Sequence, residues 1–260
     1  MSTETIWAGG HYEAVASRIA GIAQRVVAAV DRRHPLKGAV LADLACGTGS
    51  AALAAAHRGA RVIGVDVTAD LIGLAAQKAQ ADGTPIEWRV ADAADTGLAT
   101  GSVDAVISNM GIIFVEPHRQ VTELARLLRP GGALGFSTWV RSGDNPLIDP
   151  IEAVLGPPTP SPGFSADEWG RAATATARLS ADFTDIDITA GTHIWRYESV
   201  AAGVRFLVEE SPIHVAALSR AGDRRADLVA AFEAALTARS SGDGQVAFEA
   251  PYAIITAQRR

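Results

Sequence analysis

Three acidic side chains, Asp43, Asp66 and Asp92, stand at the predicted ends of three successive strands. The first lies in the stretch "LADLACGTGSAALAAA" (41–56), where a short Gly-containing turn leads into an Ala-rich run typical of a helix. Because the carboxyl ends of parallel strands line one crevice at the edge of a sheet, we expect the three carboxylates to share one ligand site. They could accept hydrogen bonds from a cationic amino group, from two ribose hydroxyls and from an adenine amine, respectively. This chemistry predicts a nucleoside cofactor.

The turn is compatible with two kinds of cofactor. Gly47, Gly49 and Ala52 formally satisfy the dinucleotide pattern G-x-G-x-x-A. Asp66 follows at the place where a ribose-binding acid belongs in an NAD-binding protein. However, Asp43 stands where a pyrophosphate would approach, and a carboxylate repels a dianion at short range. The same carboxylate suits the amino group of S-adenosyl-L-methionine, whose own carboxylate the turn amides can hold. We therefore favour S-adenosyl-L-methionine and keep NAD as the alternative.

Other side chains give weaker signals for chemistry. Cys46 lies within the turn, where we expect its backbone rather than its thiol to matter. His193 and His214 are weak candidates for the general base that would act on a substrate hydroxyl. Asp144 and Asn145 offer a pair of oxygen ligands, but a further carboxylate is missing after the fourth strand, so no metal site is expected.

Composition limits the classes of protein to which the chain can belong. Its 260 residues are 48% hydrophobic and 20% charged, which is enough for one large α/β domain. A formal net charge of −6 argues against a nucleic-acid partner held through its phosphates. The single cysteine fits a reducing compartment, and neither a signal peptide nor a membrane-spanning run is evident. We expect a cytoplasmic protein with a small-molecule substrate and no nucleic-acid or membrane partner.

The elements that must position the carboxylates alternate regularly in the first half of the chain. Apolar residues at steps of three and four predict a first helix over 11–31. Predicted strands follow at 39–44, 60–66, 85–92, 103–109 and 133–139. Predicted helices lie between them at 50–58, 68–81 and 118–128. Such alternation implies a parallel sheet covered by helices on both faces.

The second half is less regular. The stretch "GPPTPSPG" (156–163) predicts a rigid, extended loop, and Ser165 can cap a helix over 166–180. The remaining predicted elements are a strand, or a strand and a bend, at 183–198, helices over 199–240 and a final strand at 245–260. The expected fold is therefore α/β and Rossmann-like. It has a seven-stranded, mostly parallel sheet and a helical cover over the substrate site.

Five stretches in order resemble the consecutive motifs of class I S-adenosylmethionine-dependent methyltransferases, closest to the small-molecule branch of ubiquinone/menaquinone-like and type 11/25 enzymes. These stretches are "VLADLACGTG", "GVDVT", "ADAADTGL", "VDAVISNMG" and "LLRPGGALGFSTW". The resemblance covers about residues 7–140. One departure is Ala45, which stands where the family usually has its first glycine.

The resemblance implies a set of cofactor-binding positions. They are Trp7, Tyr12, Asp43, Ala45, Gly47, Gly49, Asp66, Val67, Asp92, Ala93, Ser108 and Asn109. The first turn would surround the methionine end of the cofactor. Asp66 would hold the ribose, Val67 would flank the adenine, and Asp92 with Ala93 would hold the adenine edge.

The resemblance also implies positions nearer the reacting methyl group. Ser108 and Asn109 would lie beside it, and Trp7 and Tyr12 would belong to a lid that closes the site. The predicted reaction is methyl transfer to a small, hydrophobic or aromatic organic acceptor by in-line displacement, which depends on alignment and desolvation. The alternatives are an NAD-dependent oxidoreductase and a non-catalytic module that binds S-adenosylmethionine.

One domain is expected over 1–260, and a homodimer is left open. Its predicted parts are an N-terminal helix and lid (1–35), a cofactor-binding core (36–140), a substrate cover with the sixth strand (141–240) and the final strand (241–260).

Overall fold

A computed structural model describes residues 5–141, 143–157 and 163–260. Residues 158–162 of the predicted Pro-rich loop lie outside the described residues. The strands are β1 (Val40–Leu44), β2 (Arg61–Asp66), β3 (Glu87–Val90), β4 (Val103–Asn109), β5 (Leu128–Trp139), β6 (Phe183–Tyr197) and β7 (Val246–Arg259).

Helices connect most of these strands. The α-helices are α1 (Tyr12–Arg33), α2 (Ser50–Ala56), α3 (Ala69–Asp82), α4 (Pro117–Leu127), α5 (Asp149–Leu155), α6 (Ala172–Leu179), α7 (Val200–Arg205), α8 (Pro212–Ala221) and α9 (Arg225–Thr237). Short 3-10 helices occupy Ile6–Ala8, Ile112–Phe114, Ala166–Gly170 and Gly222–Arg224, and a π-helical turn occupies Phe206–Glu210. None of the described helices has the length and apolar character that a membrane crossing requires.

The strands form one seven-stranded sheet in the order β3-β2-β1-β4-β5-β7-β6. The pairs from β3 to β5 are parallel, and β7 runs antiparallel to β5. Asp43 is in register with Gly64 of β2 on one side and with Ile107 of β4 on the other. This confirms the expected Rossmann-like, mostly parallel sheet. It also places Asp43 near the carboxyl end of a central strand, where such sheets bind ligands.

The chain divides into two compact units. The first unit comprises the described residues of 19–140, 162–191 and 252–260, and it contains the three predicted carboxylates. The second unit comprises the described residues of 1–18, 141–161 and 192–251. The expectation of one domain over the whole chain stays a prediction.

The core of the first unit follows from the apolar pattern of its strands. Leu41, Leu44 and Ile107 are fully buried, and each buried side chain of this size stabilises the fold by about 2 kcal/mol. Val30 of α1 packs directly against β5 at Gly135, where any side chain would collide with it. The sheet is therefore rigid beneath the edge that carries the acids.

Two predicted elements differ clearly from the structure. Strand β5 begins at Leu128 rather than at residue 133, because Leu128 already pairs with Val103 before the register shifts. The helix predicted over 166–180 is broken into a 3-10 helix and α6. Ser165 caps the first piece as expected, through a hydrogen bond from the amide of Asp167.

Close backbone contact explains the break in that helix. A Cβ at Gly170 would lie 3.0 Å from the Cα of Val140 and would overlap the carbonyl oxygen of Trp139. Gly170 therefore lets the 3-10 helix lie against the end of β5. Arg171 then adopts an extended backbone (φ −88°, ψ 112°) before α6 begins.

Gly170→Ala is expected to lower the free energy of unfolding by about 1–3 kcal/mol, because the added methyl group collides with backbone that cannot move aside. Gly21→Ala is the matched control. Gly21 lies on the exposed face of α1 with nothing within 4 Å of its virtual Cβ, so this change should stabilise the protein by roughly 0.5–1 kcal/mol. Urea unfolding of both variants measures the difference. Equal changes in the free energy of unfolding in the two variants would contradict the close contact between Gly170 and the end of β5.

Candidate functional site

The turn after β1 depends on left-handed backbone. Ala45 (φ 51°), Gly47 (φ 55°) and Gly49 (φ 81°) all have positive φ. The amide of Gly49 donates to the carbonyl of Cys46 (3.0 Å), and the Cys46 amide donates to Val65 of β2 (3.0 Å). The turn is therefore tight and tied to the neighbouring strand. Such geometry suits glycine, and Ala45 adopts it at a cost in strain.

The turn is supported from two sides by contacts that the sequence analysis missed. A Cβ at Gly49 would lie 2.6 Å from Cη2 of Trp88, so the indole of β3 lies directly against the turn. A Cβ at Gly111 would lie 2.5 Å from the carbonyl oxygen of Ala45, so the segment after β4 also touches it. The glycine at the end of "SNMG" was the available signal for the second contact.

Asp43 is completely buried, and neither of its carboxylate oxygens accepts a hydrogen bond from the described residues. Burial raises the pKa of Asp43 to about 8, the charge of Asp66 adds to the shift, and the nearby Ala52 amide opposes it without a hydrogen bond of ordinary geometry. Thr48 in the turn is also buried with an unpaired hydroxyl oxygen. An unpaired buried carboxylate is costly, so Asp43 is a natural partner for a cation.

Asp66 is nearly buried and bridges two loops. Its Oδ2 accepts the amide of Gly47 (2.8 Å), and its Oδ1 accepts the amide of Thr68 (2.9 Å). Burial raises the pKa of Asp66, and these amides oppose the shift. Hydrogen bonds from the hydroxyl of Thr68 and the amide of Val67 also lower the pKa of Asp66. Val67 follows directly with 46% of its surface exposed.

Asp92 is held by two donors. Its Oδ1 accepts the amide of Ala94 (2.9 Å), and its Oδ2 accepts Nη2 of Arg119 (3.1 Å). Ala93 is buried, and its carbonyl accepts Nε2 of Gln120 (3.1 Å). Arg119 and Gln120 were not predicted as site residues, because their partners lie 27 residues earlier in the chain.

Ser108 and Asn109 fix the backbone beyond β4. The hydroxyl of Ser108 accepts the amide of Ile112 (3.1 Å), and Ser137 donates its hydroxyl to Oδ1 of Asn109 (2.8 Å). The amide of Met110, a residue with φ 56°, donates to the hydroxyl of Ser137 (3.0 Å). Side chains at the ends of two adjacent strands thus hold this turn in place.

The remaining predicted site residues belong to the second unit. The rings of Trp7 and Tyr12 meet edge to face with centroids 6.1 Å apart. His193 meets Trp195 in the same way at 4.9 Å, and burial lowers the pKa of His193. Their proposed roles as lid and base stay predictions.

His214 is buried with both ring nitrogens engaged. Nδ1 lies 2.7 Å from the hydroxyl of Ser211, and Nε2 lies 2.8 Å from the carbonyl oxygen of Leu147. A carbonyl only accepts, so Nε2 carries the proton and Nδ1 accepts from Ser211. Burial lowers the pKa of His214 to about 4.

Cys46 and the possible metal ligands show little sign of chemistry. Burial is the main cause that raises the pKa of the Cys46 thiol well above its usual value, which leaves the thiol unreactive. Asp144 pairs with Arg239 at 3.2 Å. Within 5–141, 143–157 and 163–260, no group of three or more His, Cys, Asp or Glu side chains could hold a metal ion.

Comparison with protein families finds a model described as "Methyltransferase domain" that matches residues 42–136. The match begins within β1 and ends within β5. It therefore includes all three carboxylates and the turn after β1.

Two curated relatives illustrate the likeness in sequence. An uncharacterised protein of Mycobacterium tuberculosis is 29% identical over 265 residues, which cover 98% of this chain and 93% of that protein. The ubiquinone biosynthesis O-methyltransferase of Rhizobium etli is 32% identical over 107 residues, which cover 40% of this chain and 43% of that protein. The second likeness is thus confined to less than half of either chain.

Among solved structures, the YcgJ protein of Bacillus subtilis matches with a TM-score of 0.60 at 17% identity. The match covers 91% of this chain and 98% of that one. At this identity the likeness shows the fold alone.

Ala45→Gly is expected to raise the free energy of unfolding by about 0.5–1 kcal/mol, because relief of left-handed strain exceeds the entropy that glycine adds to the unfolded chain. Ala55→Gly, at a buried position of α2, is the control. This change should instead lower the free energy of unfolding by about 1 kcal/mol or more. Urea unfolding measures both. If Ala45→Gly lowers the free energy of unfolding as much as the control does, no strain is stored at this turn.

Proposed function

We propose that this chain is a class I S-adenosylmethionine-dependent methyltransferase that methylates a small, hydrophobic or aromatic organic acceptor. The match of residues 42–136 to a methyltransferase domain supports the reaction class. Two observations support this class of acceptor. The relative in Rhizobium etli is an O-methyltransferase of ubiquinone biosynthesis. The net charge of −6 disfavours a polyanionic substrate.

The orientation proposed for the cofactor rests on the unpaired carboxylate of Asp43. Asp43 is fully buried without a hydrogen-bond partner among the described residues. The cationic amino group of S-adenosylmethionine would neutralise this carboxylate, directly or through water. A dinucleotide would instead bring a diphosphate toward a second anion. The residues present thus fit the methionine end of S-adenosylmethionine.

The other two acids fit the nucleoside. Asp66, at the end of β2, would accept the ribose hydroxyls, and the exposed side chain of Val67 offers an apolar surface to the adenine. Asp92 and the backbone of Ala93 would hold the adenine edge. Gly47 and Gly49 supply the left-handed backbone that the turn requires.

When bound, S-adenosylmethionine supplies a methyl group on a sulfonium that is already activated for displacement. The protein's task is to align the acceptor, exclude water and, for a hydroxyl acceptor, remove one proton. We place Ser108 and Asn109 beside the reacting methyl, since they fix the turn at the end of β4. Both ring nitrogens of His214 are already hydrogen-bonded, which argues against His214 as the base.

Isothermal titration of the full chain with S-adenosylhomocysteine and with NADH tests the cofactor assignment. We expect micromolar or tighter binding of the first ligand and no measurable binding of the second. Radiolabelled methyl transfer to a panel of phenols, quinols and carboxylic acids then tests the acceptor class. Tight binding of NADH alone would overturn the assignment. Binding of S-adenosylhomocysteine without turnover on any acceptor would favour a non-catalytic module.

The pKa of Asp43 predicts how cofactor affinity depends on pH. Because the buried carboxyl is protonated below about pH 8 and must ionise to receive the ligand's ammonium group, affinity for S-adenosylhomocysteine should rise up to about tenfold per pH unit from pH 6 toward 8 and then level. Asp43→Asn should bind weakly with little pH dependence. Asp70→Asn, at an exposed position in the first turn of α3, should behave as the wild type.

The raised pKa of Asp43 also predicts how the free energy of unfolding of the ligand-free protein depends on pH. The folded chain retains a proton on Asp43 that the unfolded chain releases above its ordinary pKa of 3.8. Asp43 therefore makes unfolding easier as pH rises from about 4 to about 8, by up to roughly 1.4 kcal/mol per pH unit. Urea unfolding between pH 4 and pH 8 measures this effect. The free energy of unfolding should fall less steeply with pH in Asp43→Asn than in the wild type. Identical slopes in variant and wild type would refute the raised pKa.

A further inference from the structure

Helix α4 contacts the loop after β3 at three places. Arg119 donates to the carboxylate of Asp92 (3.1 Å), and Gln120 donates to the carbonyl of Ala93 (3.1 Å). One turn later, the carboxylate of Glu123 accepts both the amide (2.9 Å) and the hydroxyl (2.6 Å) of Thr96. All three pairs are separated by 27 residues in sequence. The helix therefore lies alongside the loop and holds it in one register.

The end of α4 that carries Arg119 is itself fixed. Glu116 caps the helix, and its carboxylate accepts the amides of His118 (3.0 Å) and Arg119 (2.7 Å). Pro117 stands in the first turn, where its restricted φ favours helix initiation. Arg119 thus extends from a rigid backbone toward Asp92.

We propose that Arg119 is a positioning residue that sets the base specificity of the cofactor site by orienting the carboxylate of Asp92. This inference rests on the proposed function, in which Asp92 accepts a hydrogen bond from the adenine amine. Arg119 occupies Oδ2 and the Ala94 amide occupies Oδ1, so both oxygens are fixed in direction. One lone pair on each remains for the ligand.

Exposure of the Arg119–Asp92 pair argues that its role is orientation rather than stability. The side chains are 56% and 43% exposed, and ion pairs in such surroundings contribute little to folding. Without the guanidinium, the Asp92 side chain keeps one amide contact and can rotate. A correctly aimed, acceptor-only carboxylate favours a 6-amino group and repels the 6-oxo group of a deaminated base.

The test compares two ligands that differ at this one group, S-adenosylhomocysteine and S-inosylhomocysteine, by isothermal titration of the full chain. The wild type should prefer the adenine ligand by at least about tenfold. In Arg119→Ala, affinity for the adenine ligand should fall roughly two- to fivefold, while affinity for the hypoxanthine ligand stays unchanged or rises. The ratio of the affinities for the adenine and hypoxanthine ligands should therefore fall in Arg119→Ala. Arg119→Lys should restore part of this ratio.

Arg89→Ala is the matched control, because Arg89 forms a similarly exposed pair with Glu87 on β3. It should leave both affinities unchanged. Equal losses for both ligands in Arg119→Ala would overturn the proposal, since they would indicate a structural role for the pair. If Asp92→Ala lowers the ratio of the two affinities and Arg119→Ala does not, the role inferred for Arg119 is wrong, while the proposed function stands. A wild type that binds neither ligand refutes both.

Discussion

A carboxylate that is fully buried and accepts no hydrogen bond is tolerated in a folded protein only if it is neutral or has a cationic partner. Asp43 is in this position on the central strand β1. In the chain without ligand, a pKa near 8 keeps it neutral at ordinary pH. In the proposed complex, the ligand's ammonium group takes the place of that proton. The orientation of the cofactor and the pH dependence of binding both follow from this exchange.

The turn that follows Asp43 is held by contacts with two other strands. The turn after β1 lies close to the segment after β4 at Gly111 and to the indole of Trp88 on β3. Asp66 binds the amide of Gly47 and so ties the turn to the end of β2. These contacts require small residues and left-handed backbone, which explains the glycines of the turn and the strain predicted at Ala45.

Sequence periodicity and strand-end chemistry predicted the sheet and the edge that carries the acids, because both depend on local patterns. They did not predict contacts between distant segments. Strand β5 extends back to Leu128 through pairing with Val103, and the helix near Gly170 breaks against the backbone of Trp139. Likewise, Asp92 was predicted to accept a hydrogen bond from the adenine amine, but its pairing with Arg119 was not predicted. Such contacts leave no periodic signal in the sequence.

The protonation state of Asp43 tests this account most directly. Carbon-13 NMR of the chain with labelled aspartate carboxyl carbons, assigned with Asp43→Asn, reports that state at pH 6.5. The account predicts a protonated carboxyl without ligand and an ionised carboxylate after S-adenosylhomocysteine is added. A carboxylate that is ionised without ligand, and does not change when the ligand binds, would contradict it.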